Sequence, residues 1–75
     1  MDLDKHQAIA GKLEVGKAAG WLSEYLVAWH GARGELEPSV TVWRAHDQND
    51  AAVKAYVNGL LSELVAERDI AIADA

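Results

Sequence analysis

The chain has no cysteine and a single proline, Pro38, among its 75 residues. Small domains commonly need a disulfide, a metal or a partner chain for stability. Without cysteine, a disulfide framework is excluded, which favours a partner chain. We therefore expect a homodimer. Two features predict a cytoplasmic location. The sequence lacks cysteine, and its start (MDLDKHQAIAGK) is polar and contains acids, unlike a signal peptide.

Long apolar runs and clustered basic residues are also missing. No apolar segment approaches the roughly 20 residues that a transmembrane helix requires, so no membrane partner is expected. Seven Lys and Arg residues, dispersed along the chain, stand against twelve Asp and Glu residues, and the formal net charge is -5. Direct binding to nucleic-acid phosphates is therefore not expected, whereas an acidic surface favours a basic protein partner.

Motifs for catalysis, metal binding and cofactor binding are absent from the sequence. His6, His30 and His46 lie far apart, and none has a second ligand at the i+3 or i+4 spacing that brings two ligands to one helix face. There is no nucleophile-elbow pattern and no glycine-rich phosphate loop. We therefore expect no catalytic residue, no metal site and no cofactor, and we do not interpret the protein as an enzyme.

The second half of the chain has the pattern of an amphipathic helix, predicted over residues 48–70. Asp47 is the expected N-cap, with Asp50 in the first turn. Residues 70–75 are expected to fray. At 100° per residue, one apolar stripe contains Val53, Tyr56, Val57, Leu60, Leu61 and Leu64.

The first half, residues 3–30, has two apolar stripes on nearly opposite sides of an ideal helix. One stripe contains Val15, Ala18, Ala19, Leu22, Leu26 and Trp29, and the other contains Leu3, Ile9, Ala10 and Leu13. Either the helix breaks near Gly16, giving two helices with one buried face each, or it is continuous or mildly kinked and a second molecule buries its other side. The continuous helix is favoured, because Pro, Asn and Asp are absent between positions 5 and 23.

The two helical halves are joined by an extended connection over residues 31–46. Gly31, Gly34 and Pro38 are typical of a helix end followed by a turn. Residues 39–43 (SVTVW) alternate like a strand, with Val40 and Val42 on one side and Thr41 and Trp43 on the other.

No second strand is evident in the sequence to pair with residues 39–43. The segment is therefore a solvated linker, a strand that pairs with its own copy across a twofold axis, or a strand added to the edge of a partner's sheet. The homodimer is favoured, because it also explains the double-faced first helix.

The aromatic residues point to an interaction surface. Trp, Tyr and Arg are the residue types enriched at interface hot spots, and the candidate partner-binding residues are Trp21, Tyr25, Trp43 and Arg44. The alternative is that the tryptophans enlarge a small core. Candidate core or dimer residues are Val15, Leu22, Leu26, Trp29, Val40, Val42, Val53, Tyr56, Leu60 and Leu64.

The sequence thus predicts a single domain over residues 1–75 that is all-α or nearly so. Its expected form is a helical hairpin of two long helices in a dimeric bundle. The predicted function is non-catalytic protein–protein interaction, as a regulator or inhibitor that binds and blocks a partner, as accessory proteins of phages and mobile elements commonly do. The alternative is a structural or assembly subunit whose helices complete a larger bundle.

Overall fold

The computed structural model of the chain describes residues 2–32 and 34–73. Three strands form one mixed sheet in the order β1-β2-β3, with β1 antiparallel to β2 and β2 parallel to β3. The predicted all-α helical hairpin is therefore wrong, and the chain has an α/β fold. Its elements are α1 (Leu3–Ala18), β1 (Leu22–Ala32), β2 (Glu35–Arg44), α2 (Asp50–Leu61) and β3 (Ile70–Ala73), with a 3-10 turn at Glu67–Asp69.

The first helix, α1, ends at Ala18, far short of residue 30, and the chain turns away from the helix axis at Gly20. Gly20 has a φ of 87°, and its N–H donates to the carbonyl of Lys17 at 3.1 Å, while the N–H of Trp21 donates to the carbonyl of Gly16 at 3.0 Å. This Schellman arrangement requires a left-handed residue, which glycine adopts without steric cost. The helix passes through Gly16 unbroken, so both the break near Gly16 and the continuous helix over residues 3–30 are wrong.

Strand β1 occupies the second half of the predicted first helix. Leu22 and Leu26 fit one helical stripe, but a spacing of four residues also places two side chains on one face of a strand. A bulge between Leu22 and Glu24 then inverts the alternation, so Leu22 is 2% exposed and Leu26 is 56% exposed. The hydroxyl of Ser23, in the bulge, donates to the carbonyls of Trp43 and Arg44 at 3.3 Å.

A long hairpin joins β1 to β2, with a register that runs from Leu22 opposite Arg44 to Ala32 opposite Glu35. Residues 31–32 and 34–38, where the sequence predicts a helix end and a connection, lie in this hairpin. Pro38 lies in β2 outside residues 40–43, the segment of β2 that pairs with β3, so its missing N–H removes no hydrogen bond from the β2–β3 ladder.

The strand-like segment 39–43 therefore finds its partners inside the chain. Residues 39–43 pair with β1 on one side, and residues 40–43 also pair with β3 on the other. The expectation that no second strand could pair with this segment was wrong, and the argument that it requires a second copy no longer holds.

The second helix, α2, is shorter than predicted. It starts at the N-cap Asn49 instead of Asp47, with the side-chain oxygen of Asn49 accepting the N–H of Ala52 at 2.8 Å, and it ends at Leu61 instead of residue 70. Residues 70–73, expected to fray, form β3, and residues 74–75 lie outside the described residues. A parallel β2–β3 pair needs a crossover connection, which α2 supplies.

Both helices cover the same face of the sheet. The buried residues of α1 are Ile9, Leu13 and Gly16. Val15, from the other stripe, is 60% exposed. Helix α1 is thus buried on one side only. In the described residues, neither helix is both long and apolar enough to span a membrane. The buried core consists of Ile9, Leu13, Leu22, Val40, Val42, Val53, Val57, Leu61, Val65 and Ile70.

Candidate protein-binding surface

The face of the sheet opposite the helices carries mostly small and apolar side chains. Because Val40 and Val42 point into the core, Thr41 and Trp43 point to the other face. The register places Leu26 and Ala71 on either side of Thr41, and Glu24 and Ala73 on either side of Trp43. We call this surface the open sheet face; its members are Leu26, Ala28, Ser39, Thr41, Trp43, Ala71 and Ala73.

Leu26 and Trp43 are the two large apolar residues of the open sheet face. Leu26 is 56% exposed, and Trp43 is half-buried. They lie diagonally across adjacent strands, since Leu26 is opposite Thr41 and Trp43 is opposite Glu24. Diagonal neighbours on a sheet are within reach of aromatic side chains, so the two residues form one apolar centre.

Charged residues lie at both ends of the open sheet face. At one end, Glu24 pairs with Lys17 at 3.6 Å, with 61% and 39% of the two side chains exposed. At the other end, Nε2 of His30 is 3.5 Å from Oδ1 of Asp69. The guanidinium of Arg68 lies 3.9 Å from Glu37 and 4.0 Å from Asp69. The carboxylates of Glu24 and Glu37 are accessible to a charged partner, with 61% and 62% of their side chains exposed, whereas the side chain of Asp69 is only 16% exposed. Exposed ion pairs contribute little to stability.

The predicted partner-binding residues do not form one surface. Trp43 lies on the open sheet face, whereas Trp21 lies with the helices and stacks on Tyr56, with ring centroids 4.6 Å apart and planes 7° apart. Both rings are half-buried and pack against the core. The structure thus gives Trp21 a packing role.

Arg44 is held within the loop between β2 and α2. Its Nε lies 2.9 Å from Oδ1 of Asp50, and its Nη1 donates to the carbonyl of Gln48 at 3.0 Å. These contacts fix the chain as it leaves the sheet and enters α2, so the guanidinium, although its side chain is 40% exposed, is held by groups of its own chain.

The hydroxyl of Tyr25 donates to Oε1 of Glu14 on α1 at 2.5 Å. This hydrogen bond, with lesser effects of burial and of the charges on Glu14 and Glu24, raises the pKa of Tyr25 to about 12. Because the phenol stays protonated at neutral pH, it links β1 to α1 as a hydrogen-bond donor and is a poor general base.

The predicted core or dimer residues divide by exposure. Leu22, Val40, Val42 and Val53 are buried; Trp29, Tyr56, Leu60 and Leu64 are half-buried; Val15 and Leu26 are exposed. Ile9 and Leu13 are core residues that were assigned to the opposite stripe, because the first helix was extended across β1. The glycine at position 20, followed by a segment that contains the aromatic residues Trp21, Tyr25 and Trp29, is the signal that ends the helix earlier.

The histidines occupy separate parts of the fold. The indole N–H of Trp29 donates to Nδ1 of His6 at 3.0 Å, His30 faces Asp69, and His46 is exposed. Over residues 2–32 and 34–73, no three His, Cys, Asp or Glu side chains are grouped closely enough to hold a metal ion. An open groove of about 330 Å³ between α1 and the end of α2 has two charged side chains in its lining, Lys12 and Glu63.

Comparison with known proteins finds no relative: no protein-family model matches the chain, and neither does any curated protein or solved structure.

Proposed function

We propose that this protein is a non-catalytic interaction protein that binds a basic partner protein through the open sheet face. The observation that carries the proposal is the apolar centre of Leu26 and Trp43 on the side of the sheet that the helices leave uncovered. Single exposed apolar residues are ordinary on a protein surface. Here a half-exposed leucine lies beside a tryptophan, which is the residue type most enriched at interface hot spots.

The small residues around this centre support the same proposal. Ala28, Ala71, Ala73 and Ser39 leave the surface low on either side of Leu26 and Trp43. A partner can therefore approach the backbone closely and cover the two large side chains, which excludes water from the centre of the interface. Alanine and serine also lose little side-chain entropy on binding.

The charge of the chain favours a basic partner. Glu24 and Glu37 lie exposed at the ends of the open sheet face, and the whole chain has a formal net charge of -5. Charges at the rim of an interface chiefly accelerate association and discourage partners of like charge. A regulator that blocks a basic functional surface of a cytoplasmic protein fits these properties.

A site-specific photocrosslinker tests this proposal. The crosslinking amino acid replaces Ala28, which is exposed on the β1 strand of the open sheet face, and in a control it replaces Val15, which is 60% exposed on α1. Crosslinking in cells of the source organism should capture the partner from position 28 and not from position 15. Capture from position 15 alone would place the interface on the helices and favour the assembly-subunit alternative.

The captured partner is then purified and its affinity measured by calorimetry. Leu26→Asp and Trp43→Ala should each weaken binding at least tenfold, because a hot-spot residue contributes about 2 kcal/mol or more. Val15→Asp adds the same charge away from the open sheet face and should leave the affinity nearly unchanged. Binding to a basic partner should also weaken as salt rises, whereas unchanged affinity in the Leu26 and Trp43 variants would contradict the proposal.

A further inference from the structure

Strand β1 leaves one edge of the sheet unpaired in the described part of the chain, and the central part of this edge has none of the usual protection. The strand contains 11 residues, and its central residues 25–29 (YLVAW) include no charge and no proline. Natural proteins blunt exposed edges with charges, prolines, bulges or short strands, because an open edge pairs with other chains. The bulge of β1 lies at one end, between Leu22 and Glu24, and leaves residues 25–29 regular.

The other free edges of the same sheet are protected. Strand β3 has only four residues. In β2, residues 35–39 extend beyond the pairing with β3, and this stretch contains Glu35, Glu37 and Pro38. Two acids and a proline are typical protective residues. The contrast within one sheet indicates that the edge of β1 is kept open for pairing.

The side chains of β1 are complementary to a second, antiparallel copy of β1. In an antiparallel pair, residues directly opposite each other have their side chains on the same face of the sheet. A twofold axis normal to the sheet must therefore place one residue of β1 directly opposite the same residue of the second copy, and we call this residue the position of the axis. With the axis at Val27, Glu24 lies opposite His30 of the second copy, Tyr25 opposite its Trp29, and Leu26 opposite its Ala28.

Neighbouring registers lose this match. With the axis at Leu26, Glu24 lies opposite Ala28 and His30 opposite Leu22. With the axis at Ala28, His30 lies opposite Leu26 and Tyr25 opposite Gly31. The register at Val27 alone among the three places a carboxylate opposite an imidazole and an aromatic ring opposite an aromatic ring, and cross-strand pairs of these kinds stabilise sheets.

We propose that two copies of this chain pair through β1, centred on Val27, and form one continuous six-stranded sheet. The helices of both copies then lie on one side, and the two open sheet faces join into a single surface on the other side. The dimer rests on the edge of β1 and is independent of the partner proposed above, since it is measured on the purified chain alone.

The register is tested by disulfide trapping, for which the absence of native cysteine is an advantage. Leu26→Cys and Ala28→Cys alter two exposed positions. Directly opposite residues have Cα atoms about 4.5–5.5 Å apart, within disulfide reach, whereas an offset of two residues adds roughly 6.6 Å along the strand and exceeds the limit of about 7 Å. An equimolar mixture of the two variants should form a covalent dimer under mild oxidation, and each variant alone should not.

A measurement of mass in solution completes the test. Light scattering at high concentration should give twice the chain's 8.1 kDa. Ala28→Lys adds a charge to the exposed edge strand and should raise the dissociation constant at least about tenfold. Ala55→Lys adds the same charge at an exposed position of α2 and should leave it unchanged. A monomer at all concentrations would overturn the dimer, and crosslinking by Leu26→Cys or Ala28→Cys alone would overturn the register.

Discussion

The indole of Trp21 lies flat against the ring of Tyr56, with centroids 4.6 Å apart and planes inclined by 7°. Trp21 follows the glycine that ends α1, and Tyr56 is near the middle of α2. The stack therefore joins the end of one helix to the side of the other, next to the start of β1.

Trp21→Ala should destabilise the fold. We expect the free energy of unfolding to fall by about 2–3 kcal/mol, less than the roughly 3–5 kcal/mol for a fully buried ring, because Trp21 is half-buried. Leu26→Ala, at a residue 56% exposed, should cost less than about 1 kcal/mol. Urea unfolding followed by circular dichroism measures both. Equal losses in the two variants would contradict the packing role of Trp21.

Gly16→Ala should destabilise α1, although alanine is normally the better helix former by about 1 kcal/mol. A Cβ at position 16 would lie 2.9 Å from Cδ2 of Leu22 and 3.0 Å from Cε2 of Tyr56, so neighbouring side chains would have to move. Gly11→Ala is the matched control in the same helix and should raise the melting temperature, because a Cβ there would have no atom of the described residues within 4 Å besides its chain neighbours and the local helix backbone. A rise in both variants would show that the contact at position 16 is loose.

The helix α2 was predictable because its apolar residues repeat with a helical period and no strand pattern competes. Strand β1 was not, because Leu22, Leu26 and Trp29 fit a helical stripe and the bulge after Leu22 hides the strand alternation. If residues 22–32 are interpreted as helix, residues 39–43 have no partner within the chain, and only a second copy could then pair with them.

The open sheet face was predictable only in part. The alternation of residues 39–43 correctly placed Val40 and Val42 opposite to Thr41 and Trp43. Separating Trp21 from Trp43 requires knowledge of the fold, because tertiary packing places Trp21 on the helix side of the sheet and Trp43 on the open sheet face. Leu26 was assigned to the core or dimer set because its exposure depends on the bulge.

Gly31→Ala should destabilise the β1–β2 hairpin more than Gly34→Ala does. Both glycines have positive φ, 138° and 83°, so alanine is strained at either position. A Cβ at Gly31 would also overlap the carbonyl oxygen of Glu35, whereas a Cβ at Gly34 would have no atom of the described residues within 4 Å apart from its chain neighbours. Amide hydrogen exchange of β1 and β2 measures the difference. Equal protection in the two variants would mean that the hairpin adjusts to remove the overlap.

The hydrogen bond from Tyr25 to Glu14 should be visible in a titration. In a Tyr56→Phe background, absorbance at 295 nm should give Tyr25 a pKa of about 12, and Glu14→Gln should lower it towards the usual value of 10.0. The folded state holds the phenolic proton more tightly than the unfolded state. The stability from this bond is therefore complete below pH 10 and is lost as the pH rises from 10 to 12.

The pH dependence of unfolding gives an independent check on Tyr25. Between pH 10 and 12, the melting temperature of the Tyr56→Phe protein should fall more steeply than that of the same protein carrying Glu14→Gln, since only the former loses the Tyr25–Glu14 bond. Glu63→Gln, which removes an exposed acid beyond α2, is the control for the change in net charge. If Glu63→Gln flattens the profile as much as Glu14→Gln does, general repulsion and not this hydrogen bond governs the alkaline loss of stability.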